Sequence, residues 1–170
     1  MKRIISVIAT AAIVFASCES KKTETAAVET PKGTGYTLDS SANIELVKKM
    51  NYAFPAGDSV TVFGSYSDTA KVHDNLHTVS IKEDFREFNS MLAKGLVLKV
   101  EKIDAIFETV HNEAFPDGVT SHVTAWVTLS AQRGKKSITF IMNQGVAFKN
   151  GKIVEEWDTY DTAGLMDLMK

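Results

Sequence analysis

Cysteine is almost absent from this chain of 170 residues; Cys18 is the only one. No intramolecular disulfide can form, so the fold has to stand on packing alone. Proline occurs three times. Two of the prolines act as punctuation: Pro55 with Gly57 ends a helix, and Pro116-Asp117-Gly118 marks a turn. The apolar run Ile4 to Ala16 falls short of the ~20 residues of a spanning helix. His73, His77, His111 and His122 lie in no spacing typical of zinc ligands. Neither a phosphate-cradling glycine loop nor a nucleophile elbow is present. No metal and no cofactor is therefore expected. A formal charge of −2 is too mild to imply nucleic acid or an anionic membrane surface as partner. There is no internal repeat. What is present is 44% hydrophobic residues, enough for a core, and an ordinary 24% of charged ones. The length suits one domain plus an appendage.

The appendage is N-terminal. Lys2 and Arg3 precede the apolar run, which suits a signal-peptide core and ends in Phe15-Ala16-Ser17-Cys18. That junction resembles a bacterial lipobox, in which the cysteine is lipidated, typically carrying palmitate, and becomes the new N-terminus. Phe15 stands where a leucine-like residue is usual. The alternative is an ordinary secretory signal with an incidental buried thiol. No partner residues surround Cys18 for a metal or nucleophilic role. Residues 1–17 thus read as a lipoprotein signal peptide, and residues 18–35 as a flexible tether. The tether is mostly Lys, Thr, Glu, Ala, Pro and Gly, with almost no large apolar side chain, and buries too little surface to offset its ordering entropy. Its expected role is a spacer between lipid and domain.

Residues 36–170 read as a single domain. Asp39-Ser40-Ser41 offers helix N-caps, and Ile44, Val47, Met50 and Phe54 recur at helical spacing. Asp58 to Ser67 is ambiguous between strand and helix, with β-branched content favouring strand. Ser80-Ile81-Lys82-Glu83 is a capping-box pattern, followed by Phe85, Phe88 and Leu92; Gly95 stops that helix. Leu96 to Thr109 is long and β-rich. From His122 to Ser130, Val123, Ala125, Val127 and Leu129 alternate with His122, Thr124, Trp126 and Thr128. Two further β-rich runs flank Asn150-Gly151, a hairpin signal because a type I′ turn needs positive φ at both central residues. The first separates Ile138, Phe140 and Met142 from Thr139, Ile141 and Asn143. The second separates Ile153, Glu155 and Trp157 from Val154, Glu156, Asp158 and Tyr160. Helices first and antiparallel strands after give an α+β layout.

Phe148 to Trp157, followed by Tyr160-Asp161-Thr162-Ala163-Gly164-Leu165, resembles the C-terminal signature of SnoaL-like proteins in the nuclear-transport-factor-2-like superfamily. Ala53 to Asp58 and Tyr66 to Asn75 resemble that family's first helix, short second helix and following strand. The resemblance therefore favours helix over strand before Tyr66. It implies a cone-shaped α+β barrel, a curved antiparallel sheet with N-terminal helices on its concave face and a pocket between them.

The candidate pocket residues are Tyr66, His122, Trp126, Asn143, Trp157 and Tyr160. Indole and imidazole offer apolar walls with one polar tip, and tyrosine can donate to an oxyanion. A pocket Asp158, its pKa raised by desolvation, would act as a general base on a carbon acid, as the resemblance to SnoaL-like cyclases implies. His73-Asp74 forms a pair in which the carboxylate could orient the imidazole. A solvated strand-end Asp, a hydrogen-bonded His and core tryptophans are the competing readings. Three functions follow as expectations: a lipid-anchored envelope protein binding a small apolar or amphipathic molecule; an isomerase or cyclase with Asp158 as base; or an interaction module that forms a homodimer through its sheet.

Overall fold

The computed structural model describes residues 35–170; the leader, Cys18 and the tether up to residue 34 lie outside them. A short strand, β1 (Gly35–Leu38), opens the fold. Ser41 then caps α1 (Ala42–Ala53), its Oγ accepting from the Ile44 amide at 3.0 Å. Asp58 does the same for α2 (Ser59–Ser65), accepting from the Thr61 amide at 3.1 Å. The stretch that β-propensity favoured as strand is therefore helical up to Ser65, and β2 (Tyr66–Asp74) begins only there. A turn at Asn75 leads to β3 (His77–Ser80), and Ser80 caps α3 (Ile81–Ala93). Gly95, at φ 86°, ends that helix in the left-handed conformation that glycine adopts without strain.

The remaining strands are long: β4 (Leu96–His111), β5 (Ser121–Arg133), β6 (Lys136–Lys149) and β7 (Lys152–Thr159). Asn150 and Gly151 turn β6 into β7 with φ of 53° and 71°, both positive as a type I′ turn requires. A last helix, α4 (Ala163–Met169), follows. Its short apolar pattern was not legible as a helix in the sequence.

The seven strands lie in the order β1-β4-β5-β6-β7-β2-β3. The fold is the expected α+β class, with one departure from an antiparallel sheet: β2 pairs with β7 in parallel, His73 opposite Trp157 and Asp74 opposite Asp158. More than seventy residues and five elements separate the two strands, so no hairpin constrains their direction.

One face of the sheet carries the core. In β5, Val123, Ala125 and Val127 are fully buried, while His122, Thr124 and Trp126 alternate onto the opposite, outer face. Ile44, Val47 and Met50 of α1 pack with Val62, Phe85, Val146, Phe148 and Ile153 in the main cluster. Each large apolar side chain buried this way contributes about 1.5–3 kcal/mol. Ile153 does not sit with Glu155 and Trp157, as simple alternation requires. Ala147 pairs with Glu155 but Phe148 pairs with Ile153, leaving Val154 as an extra residue. This bulge shifts the phase by one, so Ile153 shares the core side with Glu156.

Candidate functional site

Between the helices and the inner face of the sheet lies a cavity of about 350 Å³. Phe54 and Phe88 from the helices, Leu98, Leu129 and Phe140 from the strands, and Leu165 from α4 give it apolar walls. The sequence has six methionines, and the five beyond Met1 all line this cavity. Unbranched, polarizable thioethers fill irregular space and re-pack readily, so these walls are adaptable.

One end is polar. Glu156 points inward from β7 and is 3% exposed. Tyr66 donates its hydroxyl to Glu156 Oε2, and Gln144 donates Nε2 to Oε1 at 2.6 Å. Gln144 is itself held by Asn51 Nδ2 at 2.7 Å, and Asn51 also donates to the Val47 carbonyl within α1. This chain of amides and one phenol fixes Glu156 from two sides. Two residues on, Asp158 stands on the same side of β7, with its carboxyl in hydrogen-bonding contact with that of Glu156. Its Oδ1 is buried with no donor group beside it among the described residues, the situation of an oxygen that carries or shares a proton.

The turn after β2 is tied to the end of β7. Asn75, at φ 51°, donates its amide to the Asp158 carbonyl at 2.8 Å, and its Oδ1 accepts from the Tyr160 amide at 3.2 Å. Tyr160 in turn donates its hydroxyl to Asp74 Oδ2 at 2.9 Å. Asp84 and Glu87 of α3 complete the lining, which among the described residues includes no Lys, Arg or His.

The electrostatics follow from this crowding. Burial pushes the Asp158 carboxyl well above the usual carboxylate range, and the neighbouring Glu156 charge adds to it. Glu156 is also raised by burial, but the hydrogen bonds from Tyr66 and Gln144 favour its ionised form. Asp84 is pushed up to about 7, first by burial and then by Glu156, Asp74 and Glu87. The phenols of Tyr66 and Tyr160 are raised, by burial first and then by Glu156 and Asp74 respectively. Two carboxyls side by side cannot both ionise cheaply. The hydrogen bonds assign the charge to Glu156 and leave the proton on Asp158, a pair suited to proton transfer.

Of the residues expected from the sequence, Asp158, Asp74 and Tyr160 line the cavity, and Tyr66 stands behind Glu156. His73, His122, Trp126, Asn143 and Trp157 do not line it. They occupy the outer face, because strand alternation sends each away from its inward neighbour. For the same reason His73 cannot be oriented by Asp74, the next residue of β2. Its Nε2 lies 2.7 Å from Glu155 Oε1 and its Nδ1 2.9 Å from Thr78 Oγ1, and the ring stacks on Trp157 at 5.5 Å. His122 Nδ1 lies 2.7 Å from His111 Nε2; burial, then the His111 charge, lowers its pKa. Trp126 packs beside Phe107 at 5.8 Å, and Asn143 is its cross-strand neighbour.

Sequence reasoning missed Glu156, Gln144, Asn51 and Asp84. A signal existed for the first, since Glu156-Trp157-Asp158 places two acids on one face of a strand.

No family model matches the chain, and no curated protein matches it. Solved structures do. A candidate polyketide cyclase from a Silicibacter species superposes with a TM-score of 0.58 at 15% identity, over 78% of this chain and 98% of that one. A nuclear-transport-factor-2-like protein of unknown function from Burkholderia pseudomallei gives 0.56 at 16%, over 77% and 99%. The chain has the nuclear-transport-factor-2-like fold. A third solved structure with this cone-shaped α+β barrel is an epoxide hydrolase from Mycobacterium tuberculosis, with a TM-score of 0.52 at 17% identity over 74% of this chain and 87% of that one. At these identities the likeness speaks for the fold.

Proposed function

We propose that this protein is a lipoprotein of the bacterial cell envelope whose SnoaL-like domain binds a small apolar or amphipathic molecule. The observation that carries the reading is the cavity itself: about 350 Å³ left unfilled, walled by apolar side chains, with a few polar groups converging at one end. Ligand pockets have this character, with volumes of about 300–1,000 Å³. The SnoaL-like pattern from Phe148 to Leu165 and a structural neighbour described as a candidate polyketide cyclase support small-molecule handling. Purified protein screened against pools of hydrophobic compounds gives upward thermal shifts, and solvent extraction yields a co-purified ligand. If neither is seen, the reading fails. Anchoring rests on Cys18. Palmitate labelling and membrane fractionation of the wild type are lost in Cys18→Ser; a variant that still labels and sediments with membranes refutes the anchor.

A second reading is favoured by the paired carboxyls: an isomerase or cyclase that moves a proton on a carbonyl compound. Here Glu156 holds the charge, and Asp158 exchanges a proton with the ligand as acid and then as base. Incubating the bound ligand in deuterated water tests it. Wild-type protein speeds incorporation of deuterium beside the carbonyl, and Asp158→Asn does not. Equal incorporation by both excludes Asp158 from the chemistry.

A further inference from the structure

The lining of the cavity is unbalanced in charge. Asp74, Asp84, Glu87, Glu156 and Asp158 all contribute to it, and among the described residues no basic side chain does. Protein donors already occupy part of this set. Glu156 accepts from Tyr66 and Gln144, and Asp74 accepts from Tyr160 and, at 3.3 Å, from Asn75. Asp158 Oδ1 is buried with no donor, and Asp84 is surrounded by the like charges of Glu156, Asp74 and Glu87. The end of the cavity is therefore an acceptor site that lacks donors and positive charge. Among the described residues, no three acidic or histidine side chains are arranged to hold a metal ion. The missing charge is better met by a larger, organic cation.

We propose that the cavity selects an amphipathic amine, its ammonium seated among Asp84, Asp158 and Glu156 and its hydrocarbon body against the methionine and phenylalanine walls. An ammonium group brings three donors, no acceptor and one positive charge, which matches what this end of the cavity lacks. A carboxylate or phosphate head would meet only like charge there. A neutral head would satisfy one oxygen and leave the repulsion among the acids unrelieved. The proposal rests on the reading of the cavity as a ligand site and adds the charge of the ligand to it.

Proton linkage gives a signature. In the free protein Asp158 retains its proton, and Asp84 does so up to about pH 7. A bound cation favours their ionised forms, so binding releases protons and tightens as pH rises through that range. The groups that face the site are Asp74 from β2, Asp84 and Glu87 from α3, Glu156 and Asp158 from β7, and the phenols of Tyr66 and Tyr160.

The test uses three probes that share one chain and differ at the head: octylamine, 1-octanol and octanoate, titrated calorimetrically into the purified protein at about pH 6 and about pH 8. Octylamine binds about tenfold tighter than octanol at the higher pH, the size of a charge-assisted contact in a shielded site. Its advantage shrinks at the lower pH, and octanoate binds weakest. Octanol binding as tightly as octylamine, or octanoate binding best, overturns the amine assignment and leaves the cavity as a ligand site. No binding by any of the three overturns the cavity reading as well. Asp84→Asn and Asp158→Asn, each checked for a cooperative melt, reduce the ratio of amine to alcohol affinity towards one. An unchanged ratio in both variants places the head elsewhere and refutes the proposal.

Discussion

Tyr66 donates its phenolic hydrogen to Glu156, ninety positions further along the chain. The contact crosses the parallel pairing of β2 with β7 and holds a buried carboxylate whose second oxygen is taken by Gln144. The most buried acid of the cavity is thus a fixed part of the scaffold, while the Oδ1 of Asp158, two residues on, has no protein donor among the described residues. Depriving a buried carboxylate of one donor strands a charged acceptor, which costs more than the hydrogen bond itself contributes.

Tyr66→Phe removes that donor without changing shape. Unfolding in urea should show a loss of about 1–3 kcal/mol, the penalty for stranding a buried charged acceptor. In a double-mutant cycle with Glu156→Gln, the coupling should be about 1 kcal/mol or more. A cycle that closes to zero would show that the contact carries no energy.

Stability should depend on pH in an unusual direction. Asp84 has its folded pKa raised from 3.8 to about 7, so between those values the folded state binds more protons than the unfolded chain. Stability from this group is present below the unfolded pKa and is lost as pH rises through the folded one. Asp158 acts in the same sense. Opposing them are Asp58, Glu101 and Asp104, lowered by side-chain hydrogen bonds. Burial raises Glu108, but hydrogen bonds from Ser121, Ser41 and Asn43 outweigh it and leave it lowered. Stability from these four is lost as pH falls below the ordinary carboxylate range. Melting temperature should therefore peak in mildly acidic solution and fall towards neutrality. Asp84→Asn should flatten the fall by an amount of order 1–3 kcal/mol. A melting temperature that climbs from acid to neutral pH contradicts this.

Asn75 is a positioning residue for the acidic end. Its positive φ of 51° is strained in most residues, and its side chain accepts from the Tyr160 amide. Asn75→Ala should cost about 1–2 kcal/mol through both effects, and Asn75→Gly less, because glycine tolerates the backbone. Both should weaken octylamine binding more than octanol binding, since the Tyr160 amide loses its tie to the turn and Tyr160 holds Asp74 at the acidic end. Equal weakening would indicate a purely structural role.

The homodimer proposed through the sheet would use the outer face, where Trp157 and Ile141 remain 37% and 57% exposed. Light scattering on purified protein should then give twice the chain mass, reduced to a monomer by Trp157→Arg. A monomer at every concentration removes the interaction-module reading.

Much of the fold was legible because its signals are local. Ser80 caps α3 within one turn, and Asn150-Gly151 sets its own positive φ. The alternation of β5 likewise groups its residues into two sets over neighbouring positions. What alternation cannot say is which set faces inward. The set containing Trp126 and His122 carries the larger rings, yet Val123, Ala125 and Val127 are the fully buried ones, Val123 in one cluster with Ile44 and Val47 of α1.

The candidate site was less legible, for a related reason. Ile153 changed sides through one extra residue, Val154, which no short-range pattern announces. Asp84 looks like a solvated acid on an amphipathic helix until α3 is laid against the cavity. Leu165, Met166 and Met169 look like scattered apolar residues until α4 covers the cavity. From its sequence alone this chain determined α1, α3, its long strands and its tight turns, because capping, turn strain and side-chain period act over a few residues. Tertiary structure alone decided where its acids meet, because Tyr66, Asp84, Gln144, Glu156 and Asp158 become neighbours only when a parallel strand pair and three helices pack around one cavity.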